Sequence, residues 1–125
     1  FYFLECAARV GGANIADGIE LAAGLNLWAE WVKIELAHLR GEPYHLPEAR
    51  NDYFAVINCL ARQEWPNLDG YQDFEVVWRL VKPYHAGLIL VSPDLARLTS
   101  LIETYTERFS RDFLAVMPAR ETLRE

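Results

Sequence analysis

Hydrophobic and polar positions follow three rhythms along the chain, and each predicts an element. Phe1-Tyr2-Phe3-Leu4 is an unbroken apolar run, halted by Glu5, that reads as a strand. Ile15, Ile19, Ala22 and Ala23 share one helical face. Asn14 stands at its start as N-cap, Asp17 follows near the positive helix end, and Gly24 closes it in a left-handed position. Leu27, Trp28, Trp31, Val32, Leu36 and Leu39 then recur at helical spacing and predict a second helix from Asn26 to about Leu39. Two tryptophans on that stripe predict a deeply packed helix. Gly41-Glu42-Pro43-Tyr44-His45-Leu46-Pro47 cannot continue it, because proline lacks the N–H and holds its predecessor extended. This bend is the best candidate boundary, dividing residues 1–42 from residues 43–125.

Beyond the bend the period changes. Tyr53 to Leu60 is short, aromatic and β-branched, which predicts a strand. Trp65 to Gly70 reads as a loop. Phe74 to Val81, alternating in part, and the aliphatic run Gly87 to Val91 supply two more strands, with Pro83-Tyr84-His85-Ala86 joining them as a hairpin. Ser92-Pro93-Asp94 predicts a helix start, with Ser92 capping, Pro93 at the first helical position and Asp94 complementing the dipole. Leu95, Leu98, Leu101, Ile102, Tyr105, Phe109, Phe113 and Val116 mark one long face that Pro118 ends. Arg97, Glu103, Glu107, Arg108 and Arg111 form the opposite, solvated side, with Glu107 and Arg111 attracting each other. The order of elements predicts an α+β fold in which a small antiparallel sheet packs on the long C-terminal helix.

Composition narrows the functional classes. The 125 residues are 52% hydrophobic, enough for one compact domain or the remainder of a split one. Twelve Lys and Arg face eighteen Asp and Glu, a formal charge of −6, and no basic run occurs. That argues against nucleic-acid and anionic-membrane partners, which require clustered positive charge. Glu20, Glu30, Lys33 and Glu35 interrupt the richest apolar region, so nothing in it is long enough to span a bilayer. With no secretory leader evident, a soluble cytoplasmic protein is expected. Cys6 and Cys59, both in strand-like apolar contexts, are expected as buried free thiols. The chain opens inside a strand with no initiator methionine, which predicts the tail of something longer.

Candidate chemistry gathers at that opening. The first strand delivers Glu5 to its exposed end; a small-residue turn, Arg9 and the pair Gly11-Gly12 follow, opening a helix. A carboxylate suits Mg²⁺, a guanidinium suits phosphate or carboxylate, and N–H groups at a helix start suit an anion, a combination fit for a nucleotide. Elsewhere the readings are structural. His38, His45 and His85 have no i, i+4 pairing, and neither Cys-x-x-Cys nor Gly-x-Ser-x-Gly occurs, so zinc and nucleophilic triads are unsupported. Trp28, Trp31, Trp65 and Trp78 read as core. Tyr84-His85-Ala86-Gly87 reads first as a hairpin connection and second as a contributor to substrate selection.

Phe3-Leu4-Glu5-Cys6-Ala7-Ala8-Arg9-Val10-Gly11-Gly12-Ala13-Asn14-Ile15, with Glu20-Leu21-Ala22-Ala23-Gly24-Leu25-Asn26-Leu27 after it, resembles the last catalytic segment of ATP-grasp enzymes. It is closest to the branch of carboxylate–amine ligases that includes L-amino-acid ligases. In that family a strand carries Glu-x-Asn-x-Arg, whose Glu and Asn ligate Mg²⁺ and whose Arg meets phosphate or substrate carboxylate. The resemblance implies that Glu5 is a metal ligand, Arg9 a catalytic residue, and Gly11 and Gly12 part of the cofactor-binding turn. Ala7 stands where the family has Asn, so one metal ligand is absent or supplied differently. Residues 1–42 would then be the C-terminal segment of an ATP-grasp domain, and residues 43–125 a small α+β subdomain. Mg²⁺ and ATP are the implied cofactors of the parent enzyme, and an N-terminal ATP-grasp lobe is the implied partner. Without that lobe the chain is expected to be inactive alone. The alternative is a stand-alone binding or dimerisation module, two copies pairing through the apolar first strand.

Overall fold

The structure, a computed structural model, describes residues 9–116. The predicted first strand, Cys6 and Pro118 lie outside the described residues. Within them the chain forms helix α1 (Ile15–Ala23), helix α2 (Leu27–Arg40), strands β1 (Tyr53–Leu60), β2 (Val76–Arg79) and β3 (His85–Ser92), and helix α3 (Leu95–Asp112). The fold is α+β, as expected.

The strands form one antiparallel sheet in the order β1-β3-β2. β3, the aliphatic run, takes the centre, where a strand is covered on both faces and both edges; Ala86, Leu88, Ile89 and Leu90 are fully buried. Its register against β1 pairs Ala55 with Leu90, Ile57 with Leu88 and Cys59 with Ala86 on one face. Phe54 with Val91, Val56 with Ile89 and Asn58 with Gly87 occupy the other. The β2–β3 hairpin turns at a Lys82–His85 bridge, with Tyr84 left-handed at φ 58°.

Each face takes a helix. Leu98, Leu101, Tyr105, Phe109 and Phe113 of α3 and its C-cap pack on Ala86, Leu88 and Leu90. Tyr71, from the loop before β2, stands edge-on to Tyr105 and Phe109 with ring centroids 5.0 and 5.1 Å away. On the other face α1 meets β1 at Gly18, where a Cβ would come 2.3 Å from the Phe54 ring. The bend returns along α1: the Arg50 N–H donates to the Ala23 carbonyl at 2.9 Å, and its guanidinium to that of Leu21.

Several local expectations are corrected. α2 is not deeply packed. Trp28, Val32 and Leu39 are 54%, 58% and 79% exposed, Trp31 is exposed too, and the residue it buries is Glu30. Trp65 is also exposed, so the tryptophans do not build the core. Phe74 is 96% exposed and precedes β2, which is confined to four residues. Asn14 takes the cap position of α1 in left-handed geometry (φ 65°), but its side chain accepts no N–H; its amide donates to Asp17 instead. At α3 the cap is Asp94, accepting from Ala96 and Arg97, and Ser92 accepts from Asp94 N. α3 ends at Asp112, before Pro118, and Val116 is exposed. Its charged side is only partly solvated, because Arg97 bridges Asp73 and Glu75 while Arg108 covers the rings of Tyr71 and Tyr105.

Candidate functional site

Glu5 lies outside the described residues, so the site is built from Arg9 onward. The turn from Val10 to Asn14 closes when the Ile15 N–H reaches the Gly12 carbonyl at 3.0 Å. Its unusual backbone falls on Ala13 (φ 52°) and Asn14 (φ 65°), whereas neither Gly11 nor Gly12 has a positive φ. What the glycines supply is closeness: a Cβ at Gly11 would press on Ile15 at 3.0 Å, and one at Gly12 would come 3.8 Å from the Arg9 guanidinium. Arg9 therefore sits over the glycine turn that feeds α1. It holds only a long 3.4 Å bond to the Val10 carbonyl, and no acid pairs with it among the described residues. The guanidinium is exposed and able to meet an anion as a planar fork. The first turn of α1 likewise receives no side-chain cap from Asn14.

Arg9 and Val10 also border a shallow groove against Leu27, Trp31 and Ile34 of α2. Trp31 also lines a second, largely apolar groove on α2 with Trp28, Val32, Glu35 and Leu36. Trp31 is oriented there by its indole N–H donating to Glu35 at 3.1 Å.

The structure brings together two segments that the sequence separates. Ala13 and Asn14 line a cleft of about 490 Å³ whose far wall is Asn58, Cys59 and Leu60 at the end of β1, with Leu80, Lys82 and His85 from the β2–β3 hairpin. α1 covers the Phe54 end of the sheet and leaves this end open. His85 is fixed there by a 2.8 Å contact between Nδ1 and the Pro83 carbonyl. Cys59 is free and half-buried, and burial pushes its thiol up, away from a reactive thiolate. Asn58 lies within the strand that the sequence predicts over Tyr53–Leu60, and Lys82 falls between two predicted elements. Of this wall the Tyr84-His85 turn alone stands out in the sequence, and nothing in the linear pattern links it to residues 11–14.

The strongest perturbed ionisations lie elsewhere and are structural. Asp73 is held low by a hydrogen bond from Tyr105 and then by Arg97; Glu75 is held low by Arg97. Tyr71 is pushed up by burial and by its bond to Asp112. These groups bind the loop before β2 to α3. Among the described residues no group of three His, Cys, Asp or Glu is arranged to hold a metal ion.

Compared with protein-family models, with curated proteins and with solved structures, the chain has no match. No helix among the described residues is long and apolar enough to cross a membrane.

Proposed function

We propose that this chain is the C-terminal portion of an ATP-dependent carboxylate–amine ligase of the ATP-grasp type. The observation that carries the reading is the segment from Glu5 to Asn14, in which an exposed Arg9, without an acidic partner among the described residues, lies over the Gly11-Gly12 turn at the start of α1. In the parent enzyme a substrate carboxylate oxygen would attack the terminal phosphorus of ATP and release ADP. The amine would then attack the acyl carbon, expelling phosphate and losing a proton to give the amide. Arg9 would neutralise charge on phosphate or substrate, and the turn would approach the same anion closely. These described residues fit phosphate contact. Mg²⁺ would neutralise phosphate charge, and its fit rests on Glu5, outside the described residues.

On this reading the partner is the nucleotide-holding lobe. The apolar stripe of α2, whose Trp31 also lines the groove beside Arg9 and Val10, is the surface it would cover. The reading requires a nucleotide-holding ATP-grasp lobe N-terminal to Phe1, and the test joins the chain to such a lobe. Glu5→Gln and Arg9→Ala should each abolish most ATP-dependent amide formation, while the chain alone should hydrolyse no ATP with any amino acid. Undiminished catalysis in both variants overturns the assignment.

The exposed α2 stripe also favours a second reading, a non-catalytic module whose occupant is another copy of the chain. A dimer in sedimentation equilibrium that Trp31→Glu dissociates would support it. A monomer would remove it.

A further inference from the structure

We propose that the cleft between the 11–14 turn and the open end of the sheet binds a small amphipathic organic anion, with Lys82 as its charge partner. The proposal does not rest on the ligase reading, since neither Arg9 nor α2 lines this cleft. Three observations converge on it. At about 490 Å³ it has the size of a small-molecule site. Its lining carries Lys82 and His85 and no carboxylate, in a chain whose formal charge is −6. The other lysine, Lys33, is paired with Glu30 at 2.7 Å, whereas Lys82 has no ion pair among the described residues.

The remaining lining mixes polar and apolar groups. Asn58 makes no side-chain hydrogen bond among the described residues and offers a neutral donor; across β3 it stands level with Leu80, while Lys82 stands level with Leu60. His85, anchored through Nδ1, lies between Leu60 and Lys82 in the register. The ligand class follows from a cation set among leucines: an anionic head against Lys82 and a short apolar body against Leu60 and Leu80. Backbone strain gathers at the same place. Ala13, Asn14 and Tyr84 are the non-glycine residues with positive φ among those described; two line the cleft and the third precedes His85. Such conformations persist where the surrounding structure holds them, and they concentrate at binding sites.

The test is titration of the full 125-residue chain with isovalerate, followed by amide chemical shifts. Saturable shifts are expected at Asn14, Asn58, Lys82 and His85 and not along α3. Isovaleramide, which lacks the charge, and acetate, which lacks the apolar body, should each bind about tenfold more weakly. Lys82→Gln should weaken isovalerate by a similar factor and Lys82→Arg should restore it; Lys82 is exposed, so neither substitution threatens the fold. Absence of saturable shifts, equal binding of the amide, equal binding of acetate, or indifference to Lys82→Gln overturns the proposal. None of these outcomes touches the ligase reading, which is tested through Glu5 and Arg9.

Discussion

Helices α2 and α3 carry the same signature and meet opposite fates. Each is capped by an Asx side chain, Asn26 accepting from Ala29 and Asp94 from Ala96 and Arg97, and each bears an apolar stripe at helical spacing. α3 buries Leu98, Leu101, Tyr105 and Phe109; α2 turns Trp28, Trp31, Val32, Leu36 and Leu39 outward and buries Glu30. The connections account for the difference. α3 leaves the central strand through a short link, so its stripe falls directly on the sheet. α2 leaves α1, which already occupies the other sheet face at Gly18 and Phe54, and among the described residues it meets α1, the bend and the segment at Arg9 and Val10 rather than the sheet. Glu30 is satisfied there at 2.7 Å by Lys33 and at 2.7 Å by Tyr44, the lysine being the main reason its carboxyl is held low. Periodicity specifies that a helix has an apolar face; topology decides whether anything covers it.

The sharpest way to break this contrast is to truncate one aromatic on each helix. Phe109→Ala removes a ring buried against Tyr71 and Phe113 and should cost about 3–5 kcal/mol in denaturant unfolding. Trp31→Ala, on a half-open ring packed on Trp28, should cost less than about 1 kcal/mol. Equal losses would mean that α2 is packed as α3 is.

A smaller effect tests why α2 was left outside. Gly18→Val places a side chain where the Phe54 ring stands and should destabilise by about 1–3 kcal/mol. Phe54→Ala in the same chain should recover part of that loss, because the overlap is with the ring itself. If Gly18→Val is neutral, α1 does not seat on β1 through this glycine.

Much of this architecture is legible in the sequence, and the failures share one cause. β1 runs from Tyr53 to Leu60 as its composition predicts, and β3 is buried as its aliphatic run predicts. Gly24 closes α1 at φ 78° as its position predicts. Tyr71 was hidden, since a lone tyrosine after Asp69-Gly70 looks like loop, yet it fills the centre of the α3 layer. The tryptophans of α2 misled for the converse reason: aromatic spacing reports what a face can pack, not what reaches it. In the site, Arg9, Gly11 and Gly12 are local in sequence and visible there. Lys82 and Asn58 enter a cleft only when the hairpin folds beside the 11–14 turn.

Acid should loosen the anchoring of α3 more gently, on a limb to which Glu30 of α2, also held low, adds. Asp73 and Glu75 have folded-state ionisations below their ordinary values, Asp73 chiefly through Tyr105 and then Arg97, Glu75 chiefly through Arg97. A lowered carboxylate contributes stability that is fully present above its unfolded value, about pH 4, and is lost as pH falls through the folded value. Thermal unfolding should therefore fall below about pH 4, and Arg97→Gln should flatten that limb while lowering stability at neutral pH. The groups are partly open to solvent, so the effect should shrink as salt is raised. An acid limb unchanged in Arg97→Gln would remove this ion cluster from the attachment of the loop to α3.

The smallest expected effect is the most discriminating about α2. Leu39→Lys and Val32→Lys replace residues that are 79% and 58% exposed, and each should change unfolding free energy by no more than about 0.5 kcal/mol. The same substitution at Leu98 or Leu101 of α3 would bury an unpaired ammonium and unfold the chain. If the α2 lysines are tolerated by the isolated chain but weaken its association with a nucleotide lobe, the stripe serves binding rather than folding. If they unfold the isolated chain, α2 draws its stability from its own apolar face, and the contrast with α3 disappears.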